Sequence, residues 1–567
     1  MTHSPTDAPS PAVEAPREAP DRRPGGRRLQ LRLTQSGGRD GGRRLALRVL
    51  AVLGVVVPVV LTAWYASGLT VVFDGAMNLQ VAQNVADGDG YRWDYAAREL
   101  FPAAIQTSGP YIFLAAAFIK VLGTSELSLQ AANLVFVLIL AVSVSVGLRH
   151  WALLRTVGPS IVLFGVPGAL ASGLGGYGEM AIAALAISSF VLLDMAATTG
   201  RRPALLTAAA AFVIGLALTI KVVAAMALPV LLLGALLVAV MRRGDTRWWR
   251  VVLSLFAIIP PLVLFELYRL ASLKGDYVNW WHEQFTAISY QAGVDKTTAP
   301  AKHGLAKMAE HLHILSSNVG MPAEALGPLL VLPFLALAIV IVARPTAFLT
   351  RLRDRGVVLL VLASVYAGGY LAWWLAVTPT EKAWLRRVAI GLVAFAVACL
   401  VLAGVVIDRL RARNGEGRLS RGVVWFAALA TTAALVLGVF AVKPTARGII
   451  DSARADQNSA TLTAARAAGK HAHELAASGA TLYGIGWWSA PAVSLYGNVS
   501  LQDLSTVKDP CVVTKQDAYV VWDWYAMNIA NPVPRMRGYS FEPVPKESTP
   551  YAAVFRIKPG PQVRCGR

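Results

Sequence analysis

Asp74 lies in VVFDGAMNLQVAQNVADGDGY, directly after an apolar run. Val72 and Phe73 beside it would strip water from the carboxylate, raise its proton affinity and suit it to general-base work. The same Asp would also cap the helix that follows, and the two roles are compatible. Glu179, in SGLGGYGEMAIAAL, opens another apolar run. It could orient a substrate, or only complement the positive end of a helix. Lys221 interrupts the apolar stretch 203–240, and Lys382, Arg386 and Arg387 crowd the short segment TPTEKAWLRR. A single cation at an apolar boundary can snorkel to lipid headgroups. Two separate turns ending in cations at one face also suit a phosphate or pyrophosphate held by charge-assisted hydrogen bonds. Trp280, Trp281 and His282 in YVNWWHEQF could stack on a sugar, although aromatic residues at a membrane interface need no such role. Metal chemistry finds no ligand set: CxxC and HExxH do not occur, and His311 and His313 are two apart, on different sides of a helix. The GxG of YGIGWW lacks the third glycine and the downstream acid of a dinucleotide site and reads as a turn.

These residues need a scaffold, and composition names its class. The chain has 567 residues, 55% hydrophobic and only 15% charged, against about 25% charged in soluble domains. A net charge of +20 and a pI near 10.1 would suit nucleic acid. Runs such as GVVVPVVLTAW and VLLLGALLVAVM recur along the chain and decide for a bilayer instead. A soluble enzyme, a secreted disulfide scaffold and a disordered protein are excluded.

Residues 1–44 are rich in Pro, Gly and Arg and read as a disordered cytoplasmic tail. The next run lacks a small-residue cleavage site, so it reads as a retained span rather than a signal peptide. Eleven spans are expected, at 45–66, 127–148, 157–173, 179–197, 203–220, 222–240, 251–272, 326–343, 357–376, 388–406 and 422–442. As one helix, 203–240 would run roughly 57 Å at ~1.5 Å per residue, nearly twice a ~30 Å core. Two antiparallel spans with a turn at Lys221 fit better. With the N-terminus inside, five short inner loops hold seventeen arginines, as the positive-inside rule requires. The first outer loop, 67–126, has three basic residues against six acidic ones. The basic charge is therefore a topology signal, and Lys221, Arg386 and Arg387 are its exceptions.

The expected architecture is an all-α polytopic membrane bundle, 45–442, with outer loops 67–126 and 273–325 and a C-terminal extracytoplasmic α/β domain, 443–567. In the first loop, DGAMNLQVAQNVADG reads as one helix, and 111–122 as an interfacial helix too short to span. In the tail, 453–478 reads as a helix, TLYGIGW, AYVVWDW and YAAVFRI as strands, and SAPAVSLYG as a short helix. Cys399 falls within a span, while Cys511 and Cys565 share an oxidising compartment and are a candidate disulfide.

The order of span one, an outer Asp, a helix ending in ADGDGY, then FPAAIQTSGP and an apolar helix resembles the GT-C glycosyltransferases of the family 39 type. These are the relatives of protein mannosyltransferases and aminoarabinose transferases. The resemblance is best over 70–240. It implies that Asp74 is the catalytic base or orients the acceptor. It also implies that Glu179, Lys221 and Arg386 or Arg387 bind substrate, and Gln106 of FPAAIQTSGP is counted with them. Many members carry a second acid after the Asp, where this chain has Gly75. The implied donor is a sugar on a polyprenyl phosphate. The implied acceptor is an envelope glycan, lipid or protein at the outer face, with inversion at the anomeric carbon. No cofactor is assigned. The Ala, Gly, Val and Arg usage resembles a high-GC actinobacterium and suggests cell-wall assembly. A transporter or lipid-carrier flippase is the competing reading; it predicts internal repeats and mid-span charges. The glycosyltransferase reading requires Asp74, Glu179 and Lys221 to converge within roughly 10–12 Å.

Overall fold

The computed structural model describes residues 37–67, 74–96, 100–101, 107–199, 202–244, 247–291, 304–331, 352–379, 385–413, 456–485, 490–504, 510–514, 517–523, 538–544 and 552–560, with Leu69, Val71, Phe334 and Val507. The chain forms two compact units, Met1–Arg48 and Val49–Arg567. Helix α1 (Gly37–Ser67) begins in the first of them.

Most of the second unit is helical, because an apolar environment offers backbone N–H and C=O groups no partner but each other. Among the described residues, eight stretches are long and apolar enough to cross a membrane: Leu45–Ser67, Glu126–Gly147, Glu179–Thr198, Pro203–Ile220, Val222–Met241, Trp248–Thr286, Val357–Ala376 and Leu385–Asp408. Each matches an expected span. The expected span 157–173 is not continuous. Helices α5 (Ala152–Phe164) and α6 (Ala169–Leu174) replace it. Gly168 between them adopts φ +71°, which a continuous helix cannot contain. Most of 326–343 and all of 422–442 lie outside the described residues.

The remaining helices of the bundle are α2 (Asp74–Asp87), α3 (Gly109–Leu122), α4 (Glu126–Gly147), α7 (Glu179–Thr198), α8 (Pro203–Ile220), α9 (Leu228–Met241), α10 (Trp248–Ser254), α11 (Ile259–Leu273), α12 (Tyr277–Gln291), α13 (Leu305–Val319), α14 (Val357–Ala376) and α15 (Leu385–Arg413). Nearly every residue of α7 is buried, so α7 is the centre of the bundle. The turn expected at Lys221 is there: Lys221 is extended, at φ −160° and ψ 138°, and a 3-10 turn, Val222–Ala227, leads into α9. Helix α3 is short, as expected, and buries Tyr111, Ile112, Ala115 and Ile119.

The tail folds as α16 (Asp456–Ala477), β2 (Thr481–Ile485), α17 (Ala490–Gly497), β3 (Leu501–Asp503), α18 (Pro510–Thr514), β4 (Ala518–Asp523), β5 (Tyr539–Pro543) and β6 (Ala552–Pro559). Strands β3 and β5 carry no clear sequence signal. Among the described residues the sheet has six strands in the order β1-β3-β2-β4-β6-β5. Its first strand, β1 (Tyr95–Ala96), comes from the first loop, with Tyr95 paired in parallel to Leu501. The sheet thus spans two segments that the sequence reading treats separately. Cys511 is disulfide-bonded and Cys399 is a buried free thiol; Cys565 lies outside the described residues.

Helix α13 docks on the C-terminal end of α14. Lys307 Nζ donates to the carbonyls of Ala376 and Val377, both at 3.1 Å. The fully buried His311 ring packs on Trp374 at 5.0 Å between centroids. Burial lowers the His311 pKa below its ordinary 6.5, the Lys307 charge lowers it further, and Glu310 and the carbonyls of Leu375 and Trp374 oppose the shift. The unfolded chain then binds the proton more readily, so this contribution to stability is complete above pH 6.5 and is lost as pH falls below it. We expect thermal unfolding in detergent to show an acid-side loss that His311→Phe removes.

Candidate active site

Asp74 is the first residue of α2, where a negative charge complements the helix dipole. Its side chain is 38% exposed, and its Oδ2 accepts a hydrogen bond from Arg386 Nη1 at 2.8 Å. Val72 and Phe73, expected to desolvate it, lie outside the described residues. Arg386 is the second residue of α15, and its guanidinium also lies 4.4 Å from the centroid of the Tyr177 ring. Tyr177 belongs to the glycine-rich loop before α7. Burial pushes its phenol pKa up; Arg386 pulls it down, and Asp74 and Glu179 push it up.

The backbone carbonyl of Tyr177 accepts from Lys221 Nζ at 3.2 Å and from Thr107 Oγ1 at 2.9 Å. Lys221 Nζ also donates to Glu179 Oε1 at 2.9 Å. Glu179 opens α7 and is buried; its Oε2 has no partner among the described residues. Two ion pairs, Asp74–Arg386 and Lys221–Glu179, therefore meet at Tyr177. Arg387 adds a second positive charge within electrostatic range of Tyr370, Glu179 and Asp74. Four of the sequence-expected residues are thus in one cluster, and Arg387 is beside it. Gln106 and Lys382 lie outside the described residues.

Local sequence explains the tight fit. Asn78 Nδ2 donates to Gly176 O at 2.6 Å, which fastens α2 to the loop that carries Tyr177. A Cβ at Gly75 would lie 2.2 Å from Gly175 O. The position where many GT-C members carry a second acid therefore has no room here for any side chain. Ser108 donates from N to Ile220 O at 2.8 Å and from Oγ to Thr219 O at 2.5 Å, so the segment after the first loop docks on the end of α8.

Lys221 also borders a cavity of about 320 Å³, shared with Tyr91, Phe101, Glu266, Arg269, Trp280 and Trp281. Arg269 is only 7% exposed. It bonds to Glu266, which also accepts from Tyr277 Oη at 2.8 Å. The Arg269 guanidinium lies 3.9 Å from the Trp280 ring centroid, and Trp280 Nε1 donates to Phe101 O at 2.6 Å. Trp280 thus stacks on a guanidinium while lining the cavity. Trp281 remains on the cavity wall, while His282 is exposed and does not line it. Sequence reasoning missed Arg269 and Tyr177. The signal for Arg269 was present: Glu266 and Arg269, three apart, sit inside the expected span 251–272. Nothing in the sequence marks Tyr177.

No protein-family profile and no curated protein matches the sequence. Solved structures do. ArnT from Cupriavidus metallidurans bound to undecaprenyl phosphate aligns at a TM-score of 0.53 and 14% identity, over 89% of this chain and 97% of that one. The apo state of the same protein aligns at 0.50 and 14%, over 90% and 98%. The chain has the fold of ArnT. Its apolar helices, eight of them long enough to cross a membrane among the described residues, make it a multi-pass membrane protein. The ArnT structures lend no support to the actinobacterial, cell-wall reading of the composition.

Within this ArnT-like fold, Glu179 and Lys221 are 6% and 14% exposed at their side chains. Removing one partner leaves a buried charge alone. Lys221→Met is expected to cost about 3–5 kcal/mol of stability, and adding Glu179→Gln to recover most of it, read by thermal unfolding in detergent.

Proposed function

We propose that the protein is an integral membrane glycosyltransferase that moves a sugar from a polyprenyl-phosphate carrier to a hydroxyl of an envelope glycan, lipid or protein at the outer face. The observation that carries this reading is the meeting of Asp74–Arg386 and Glu179–Lys221 at Tyr177, beside a cationic cavity, in the fold of an ArnT that binds undecaprenyl phosphate.

In this mechanism the phosphate docks at Lys221, with Arg269 across the cavity. Negative charge grows on the phosphate as its bond to the anomeric carbon breaks, and a fixed cation stabilises that charge with little reorganisation. Arg386 is bonded to Asp74, so its role moves from the phosphate to holding the carboxylate in place. Asp74 takes the proton of the acceptor hydroxyl as the new glycosidic bond forms. The products are the glycosylated acceptor and the free polyprenyl phosphate. One base, with no second carboxylate assigned as nucleophile among the described residues, supports inversion. Glu179 keeps Lys221 oriented and offers its second oxygen to the sugar or acceptor.

The test uses the full-length protein in lipid vesicles with a radiolabelled undecaprenyl-phosphate sugar and an envelope extract as acceptor. Asp74→Asn is expected to lower the transfer rate by about 100-fold or more while undecaprenyl phosphate still binds. Normal transfer by that variant sinks the catalytic role of Asp74. Lys221→Met and Arg269→Met are each expected to weaken undecaprenyl phosphate binding by roughly tenfold or more.

A further inference from the structure

Helix α2 holds more than Asp74. Gln80, one and a half turns further on, is 4% exposed. Its Nε2 donates to Ser494 Oγ of α17 at 2.9 Å, and its Oε1 accepts from Asp94 N at 3.3 Å. Ser494 is fully buried and donates onward to Val499 O at 2.6 Å. A side chain of the Asp74 helix, the backbone before β1 and a hydroxyl of the tail thus form one network out of water. It continues on both sides. Asn84 Nδ2 donates to Asp94 Oδ2 at 2.9 Å, and Leu501 N of β3 donates to Asp94 O at 3.1 Å.

The tail is fastened a second time, elsewhere. Glu126, at the start of α4, accepts from Tyr496 Oη and from Arg466 Nη2, the latter at 3.2 Å. That contact holds the tail to the bundle but does not touch α2. Among the described residues, the Gln80–Ser494 network is the hydrogen-bonded link between the tail and the helix whose first residue is Asp74.

We propose that the C-terminal α/β segment is a positioning element for Asp74, acting through Ser494 and Gln80. This rests on the catalytic reading of Asp74. A helix is stiff along its axis, so a bond that fixes Gln80 also fixes the turn that presents the carboxylate, about 9 Å away at ~1.5 Å per residue. Gly75 packs against Gly175 with no side chain between them, so α2 keeps no lateral wedge of its own at that end. Beyond the packing of its buried face, α2 is held by side-chain hydrogen bonds at Asp74, Asn78, Gln80 and Asn84. Of these, Gln80 is the one that bonds directly to a tail residue among the described residues.

The experiment compares wild type, Ser494→Ala, Ser494→Thr, Gln80→Leu and Glu126→Gln, all full-length in lipid nanodiscs. Amide hydrogen exchange is read at residues 76–80, and sugar transfer from an undecaprenyl-phosphate sugar is followed by initial rates. Ser494→Ala and Gln80→Leu are expected to speed exchange at 76–80 by about tenfold, with α7 and α14 unchanged. They are expected to lower kcat by about 5- to 100-fold with KM for the lipid donor unchanged, because a small displacement of a reacting group penalises the chemical step. Ser494→Thr keeps the hydroxyl and restores both. Glu126→Gln loosens the tail from α4 and leaves exchange at 76–80 as in wild type. Unchanged exchange at 76–80 in Ser494→Ala and Gln80→Leu overturns the proposal. So does an equal response in Glu126→Gln, which would mean general loosening. The exchange measurement needs no turnover. If Asp74→Asn transfers sugar normally, the catalytic reading fails while the coupling of tail to α2 is still decided.

Discussion

Charge at the end of an apolar bundle has to be paired, and the 2.9 Å bond between Lys221 and Glu179 is where this chain meets that demand. Lys221 stands where the apolar run 203–240 breaks, and Glu179 where α7 begins. Water reaches little of either side chain, and an ammonium or a carboxylate alone there would be costly. The pair therefore ties the break after α8 to the start of α7. The glycine loop between α6 and α7 is fixed as a consequence, and with it Tyr177.

Tyr177 in turn joins the two halves of the site. Its carbonyl takes the Lys221 ammonium and its ring takes the Arg386 guanidinium. Arg386 reaches Asp74 from the other side. The contacts run from Asp74 through Arg386, Tyr177 and Lys221 to Glu179, so each charge is held by its ion-pair partner, while the Oε2 of Glu179 stays without a partner among the described residues. Such an array is preorganised, and under the proposed function it meets a phosphate and a hydroxyl without first rearranging its own dipoles. The aromatic enclosure of Arg269 does the same on the far side of the cavity, holding a guanidinium with ring faces and one carboxylate.

The tail is built into the same unit. A sheet whose first strand comes from residues 95–96 and whose other five come from beyond residue 480 cannot form from the tail alone. Buried polar contacts at Gln80 and Glu126 fasten it to two different helices of the bundle. Buried hydrogen bonds of this kind are costly to leave half-made, so they specify one docking geometry.

The sequence by itself determined the class of molecule and most of its helices. Long apolar runs leave few choices in a bilayer, and so the apolar stretches Leu45–Ser67, Glu126–Gly147, Glu179–Thr198, Pro203–Ile220, Val357–Ala376 and Leu385–Asp408 fall within a few residues of the hydropathic pattern. It also singled out Asp74, Glu179, Lys221 and Arg386, because a charge that breaks an apolar pattern needs a reason. Only the tertiary structure decided which of these charges pair, and that Arg386 holds Asp74 across 312 positions of sequence. It decided too that Gly75 has no room for a second acid, since the obstacle is a carbonyl from another segment. Hydropathy is read one residue at a time, and the span proposed at 157–173 failed because Gly168 turns the backbone. Pairing, close approach and the shared strand depend on segments far apart in sequence, and no local pattern records them.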